Sequence, residues 1–163
     1  MKKQYYNSEE YCCLPLDENG KKKARVMNVV FGVGMLLVSG IAGMLNPDSS
    51  RTAWIVFPYI FLFLPCAYML LGAHSFWSAP IKMHRAVYQV SIVRMQRSCW
   101  GIIILAGLNM LLDIVYIAVH WNTLHLLKEV CYCSCMGIVL IIGICFGKYF
   151  DRTYTPVQTS SCM

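Results

Sequence analysis

Charge is what this sequence has least of. Asp, Glu, Lys and Arg make up 13% of its 163 residues, against 58% hydrophobic residues, whereas a soluble domain carries about 25% charge. A soluble fold of this length has too little interior to hide so much apolar surface. Lipid can solvate it, provided the backbone polar groups pair within helices or a closed barrel. Segments of alternating polarity are missing, which argues against a barrel. Acids are scarcer than bases, 8 against 14. No basic patch is interleaved with aromatics, however, so nucleic acid is not an expected partner. The motifs of soluble enzymes are absent as well: there is no P-loop, no G-x-S-x-G and no H-E-x-x-H. The expected partner is the lipid bilayer, no cofactor is implied, and an enzyme is not the leading expectation.

Four long apolar runs are present: Val26–Leu45, Ala53–Ala73, Cys99–Val119 and Val130–Phe150. At about 1.5 Å per residue, a run of about 20 residues spans roughly 30 Å, the thickness of a bilayer core. The first follows Lys21, Lys22, Lys23 and Arg25 and stops at Asn46-Pro47-Asp48, a turn signal. It is longer than the apolar core of a signal peptide and follows a polar stretch, so it reads as an uncleaved first span. The second contains Pro58 and Pro65, which membrane helices accept with a kink. It has Trp54 and Tyr59 near one end and His74, Phe76 and Trp77 near the other, as interfacial belts require. The third holds one acid, Asp113. The fourth holds Lys148 near its end, where a lysine can snorkel to the interface.

These runs predict an all-α membrane protein with four transmembrane helices in two antiparallel hairpins. A polar tail at 1–25 precedes the domain at 26–150, and a Thr/Ser-rich tail follows at 151–163. Four spans place 1–25, 74–98 and 151–163 on one side. All of the 14 Lys and Arg residues except Arg51 and Lys128 then fall on that side, counting Lys148 with it. The excess of positive charge predicts a multi-pass protein of the cell membrane with both termini in the cytoplasm.

Between spans two and three, Ser78 and Pro80 read as a helix start. Met83, Ala86, Val87, Val90 and Val93 then recur at helical spacing, while Lys82, Arg85, Gln89 and Gln96 fall mostly elsewhere. The prediction is an amphipathic cytoplasmic helix that lies on the membrane or runs straight into the third span. A plain solvated connector is the competing reading. Gly34 and Gly107 occupy similar places in their spans, a hint of a tandem repeat of the two hairpins.

Asp113 is the first candidate for function, because an ionised acid within a span is costly unless it pairs, meets water or protonates. Asn109 and Tyr116 lie one turn before and after it, forming a polar stripe for transport of protons or cations. Ser39, Tyr59 and Ser134 are expected at similar depth. The competing readings are a structural hydrogen bond between helices and an acid near enough to the surface to be hydrated.

Nine cysteines are present. Cys131, Cys133 and Cys135, with His120 and His125 nearby, are weak candidates for a metal site or a thiol relay. On a helix, Cys131 and Cys135 share a face while Cys133 points away, and the outer loops carry no Cys. Packing is the simpler role for most of them. Cys12, Cys13 and Cys99 are candidates for lipidation. Gly143 to Gly147 and Ser39 to Gly43 are small-x-x-x-small spacings that let helices approach closely, within the bundle or against a partner.

Three functions follow. A non-enzymatic membrane subunit or scaffold, as a homo-oligomer or with a partner subunit, is the first. A small transporter or channel centred on Asp113 is the second, and a thiol-redox or metal-binding membrane protein the third.

Overall fold

The structure, a computed structural model, describes residues 11–14, 16–45, 47–121 and 125–154. Four helices in it are long and apolar enough to cross a membrane: Glu18–Met44, Ala53–Ser78, Arg85–His120 and Leu126–Tyr154. We label the elements β1 (Tyr11–Cys13), α1 (Glu18–Met44), α2 (Ala53–Ser78), β2 (Lys82–His84), α3 (Arg85–Tyr88), α4 (Arg94–His120) and α5 (Leu126–Tyr154). A 3₁₀ turn at Asp48–Arg51 joins α1 to α2, and a π-helical segment at Gln89–Val93 joins α3 to α4 without a break. α1 packs on α2 and α5, and α4 packs on the same two helices, so the four form a closed bundle.

Only 22% to 28% of the most apolar stretch of each helix is buried within the bundle. The remainder forms an outer surface of residues such as Val30, Leu37, Phe61, Ile104 and Ile141. The interior, by contrast, holds Asn28, Ser39, Asn109, Asp113 and Glu129 at full burial among Met35, Leu62, Met69, Ile102 and Met136. A water-soluble bundle has the reverse polarity; this one matches a hydrocarbon solvent.

The helices extend beyond the apolar runs. α1 begins at Glu18, ahead of Val26, because Asp17 caps it: its side chain accepts from the Gly20 N–H at 2.8 Å. The first turns of α1 therefore carry Lys21, Lys22, Lys23 and Arg25. The Lys21 ammonium bonds the Ala79 carbonyl, which ties this end of α1 to the end of α2. Asn28 Nδ2 donates to the Tyr154 hydroxyl at 2.8 Å and joins α1 to the last turn of α5. Tyr154 in turn packs edge-on against Phe76 of α2, with centroids 5.7 Å apart.

Pro58 and Pro65 lie inside α2 as expected of the kinked second run. Pro65 also makes a contact: a Cβ on Gly101 of α4 would sit 3.3 Å from its Cβ. At Gly72 the approach is closer still. A Cβ there would lie 2.7 Å from Met95 Cγ and 3.0 Å from the Ser91 carbonyl oxygen. The π segment thus rests directly on the backbone of α2, which only glycine allows at that position.

Two expectations for the polar segments need correction. Ser78 does not open a helix: it ends α2, and the chain next forms β2, pairing antiparallel with β1 in the register Tyr11↔His84, Cys12↔Met83, Cys13↔Lys82. Helix resumes only at Arg85 and runs on into α4. Met83, expected on a helical apolar face, is instead a buried strand residue. Nor is the N-terminal segment a free tail throughout. Residues 11–13 are held by the ladder, and Leu14 is buried with its N–H on the Ile81 carbonyl at 3.1 Å. The rest of the expected N-terminal tail before residue 11, and the C-terminal tail after 154, lie outside the described residues.

Candidate functional site: a buried carboxyl pair

The polar interior is densest at the end of the bundle where the 3₁₀ turn lies. Asn46 falls outside the described residues there, and Pro47 stops α1 because proline disfavours helix at the residue before it. The turn at Asp48–Arg51 packs against the start of α5. Asp48 Oδ2 accepts from the His125 N–H at 3.2 Å, at the start of α5. Ser49, fully buried, donates its backbone N–H to Glu129 Oε1 at 3.0 Å.

Glu129 occupies the first turn of α5 and is fully buried, as is Asp113 on α4. The Asp113 carboxyl has the Glu129 carboxyl and the Ser49 side chain as its near polar neighbours. Neither Asp113 oxygen meets a donor at hydrogen-bond geometry, and the same holds for Glu129 Oε2, Ser49 Oγ and Asn109 Oδ1. Two carboxylates brought together out of water repel each other, since a like charge nearby disfavours the ionised form. Each buried oxygen without a donor adds its own desolvation cost. A shared proton, or a small cation, resolves both terms at once.

Tyr132, on the next turn of α5, is buried and is an electrostatic neighbour of both acids. Its ring lies 6.1 Å from that of Tyr59, whose hydroxyl donates to the Ser39 carbonyl at 2.9 Å. Tyr59 and Tyr132 line a cavity of about 260 Å³ together with Pro47, Ser50 and Ile55.

Of the residues expected around Asp113, Asn109 shares its buried face and donates from Nδ2 to the Leu105 carbonyl of its own helix at 2.9 Å. Tyr116 is half-buried and stacks on His120, with centroids 4.5 Å apart. Ser39 is buried and bonds the Met35 carbonyl. Ser134 points outward and bonds the Val130 carbonyl, so it does not join the group. Asp113 itself has no exposed surface.

Glu129 is the residue that sequence reasoning missed. Beside a polar loop it reads as an outer-loop charge. Counting along the chain does not pair the two acids, since Asp113 lies well inside α4 while Glu129 stands in the first turn of α5.

The cysteine candidates do not converge. Cys131 is exposed, and Cys133 and Cys135 are half-buried. His120 and His125 are exposed, and among the described residues no group of three or more His, Cys, Asp or Glu side chains could hold a metal ion. Cys99, a lipidation candidate, is buried with its thiol donating to the Gly143 carbonyl at 3.3 Å. Gly143 packs against Ile103 of α4, and Gly43 against the Tyr59 hydroxyl of α2, so both small-residue spacings touch neighbours inside the bundle. No protein-family model matches this chain, and neither a curated protein nor a solved structure is similar to it.

Proposed function

We propose that this chain is a non-enzymatic, multi-pass subunit or scaffold of the cell membrane, with a proton-sharing carboxyl pair as the latch at one end of its bundle. In this reading the four spans form two antiparallel hairpins with both termini in the cytoplasm, as the distribution of Lys and Arg favours. The latch then faces the outside. The connector lies at the cytoplasmic surface, where exposed Val87 and Val90 meet the membrane.

One observation carries the reading: Asp113 and Glu129 are wholly buried against each other and against Ser49. The pair gathers α4, α5 and the α1–α2 connection into one cluster. Glu129 accepts from the Ser49 N–H and sits in the first turn of α5. Polarity spent on closing the bundle, with an apolar outer surface, suits a component that assembles in the membrane.

Infrared spectroscopy of the protein in lipid tests the latch. A protonated-carboxyl band is expected, lost in Asp113→Asn; a spectrum without that band refutes the shared proton. Purification in mild detergent tests the subunit reading, and a lone monomer with no partner counts against it.

A small cation- or proton-linked transporter is the second reading. The oxygens without donors and the cavity at Tyr59 and Tyr132 favour it. Flux in reconstituted vesicles that Asp113→Asn abolishes would establish it; unchanged flux would exclude a site centred on that acid.

A further inference from the structure

At the opposite end of the bundle, a groove of about 990 Å³ runs between α2 and the continuous helix from α3 to α4. Arg85, Gln89, Val93 and Arg97 recur every four residues along one wall, and Arg94 extends that row. The facing wall is α2, from Tyr68 down to Leu64 and Pro65 near the middle of that helix. The Arg94 guanidinium lies 5.8 Å from the centre of the Tyr68 ring, a cation–π contact that holds its charge at the groove. Among the described residues lining the groove there is no carboxylate.

The groove is therefore cationic along the α3–α4 wall and apolar along α2, where Leu64 is exposed. Its three arginines stand next to the apolar part of the third span, at the level where lipid headgroups meet hydrocarbon. The π segment contributes both Gln89 and Val93, and Gly72 allows it to rest on α2 just past the groove. A free phosphate would use the arginines but leave Leu64, Pro65 and Val93 uncovered. An amphiphile with an anionic phosphate head satisfies both parts.

We infer that this groove binds one anionic phospholipid, with its phosphate on Arg94 and Arg97 and an acyl chain along Leu64 and Pro65. The inference rests on the chain crossing a bilayer, and not on the carboxyl pair at the other end. Basic pockets between transmembrane helices are suited to such headgroups.

The test is native mass spectrometry of the full chain released from vesicles of mixed phosphatidylglycerol and phosphatidylcholine. One phosphatidylglycerol is expected to stay bound while phosphatidylcholine is lost. The double variant Arg94→Gln/Arg97→Gln should weaken retention about thirtyfold, taking two basic contributions near the membrane surface. Arg51→Gln, basic but at the other end, should retain the lipid. Circular dichroism checks that the double variant folds. If it does not, Arg97→Gln alone, at an exposed side chain, should still weaken retention about fivefold. Equal retention of the two lipids, or retention unchanged by the variants, overturns the inference. Displacement of the lipid by free glycerol phosphate at equal concentration also overturns it, since the site would then be one for a soluble anion.

Discussion

Replacing Glu129 by alanine removes the carboxylate that accepts from the buried Ser49 N–H. An orphaned buried donor costs about 1–3 kcal/mol. The emptied space adds about 1 kcal/mol for each ~40 Å³ that neighbours fail to refill. The total is about 2–4 kcal/mol, which for a chain of this length lowers the melting temperature by on the order of 10 °C. Glu129→Gln retains the acceptor and the volume, and its amide can donate to Asp113, so it should cost less than about 1 kcal/mol. Lys128→Ala, at the exposed neighbour, should stay within about 0.5 kcal/mol of the parent. The assay is thermal unfolding in one detergent, followed by circular dichroism. If Glu129→Ala melts with Lys128→Ala, Glu129 holds nothing and the latch is wrong. If Glu129→Gln falls as far as Glu129→Ala, a proton shared between the acids cannot be replaced by an amide, and the hydrogen-bond accounting is refuted.

Gly72→Val should be among the most damaging changes at a residue with no polar group, costing about 1–3 kcal/mol in overpacking; unfolding in denaturant measures it, and a neutral result would mean that α2 and the π segment are not in contact. A membrane-impermeant maleimide applied from outside should label exposed Cys131 and leave buried Cys66 and Cys99 untouched; labelling of Cys131 that appears only in inverted vesicles refutes the orientation.

The four spans are legible from the sequence because a bilayer demands long apolar helices and little else imitates them. Their ends are less so. Lys21 to Arg25 look like a boundary, but lysine and arginine are good helix formers, and with the Asp17 cap the helix starts before them. β1 and β2 are three residues each, too short for any periodicity to register, and neither pairs within its own neighbourhood. Asp113 stands out from the sequence because a span makes any charge conspicuous. Its partner does not, because depth was counted along single spans, whereas the pairing crosses from α4 to α5. The arginine groove escaped for a similar reason. Its basic wall is visible as an interfacial cluster, but its other wall is Tyr68 and Pro65, and nothing local joins the two.

The short ladder between β1 and β2 has a consequence for how the chain is made. β1 leaves the ribosome well before β2, with the whole of α1 and α2 between them. If α1 and α2 cross the bilayer as the proposed hairpin, it can find its partner only after both helices have entered and the chain has returned to the side it began on. Closing the ladder is thus a late step that reports on completed insertion, and the Lys21 bond to Ala79 forms under the same condition. A nascent chain halted before residue 82 should leave β1 open to protease, and lengthening it past residue 84 should close that site.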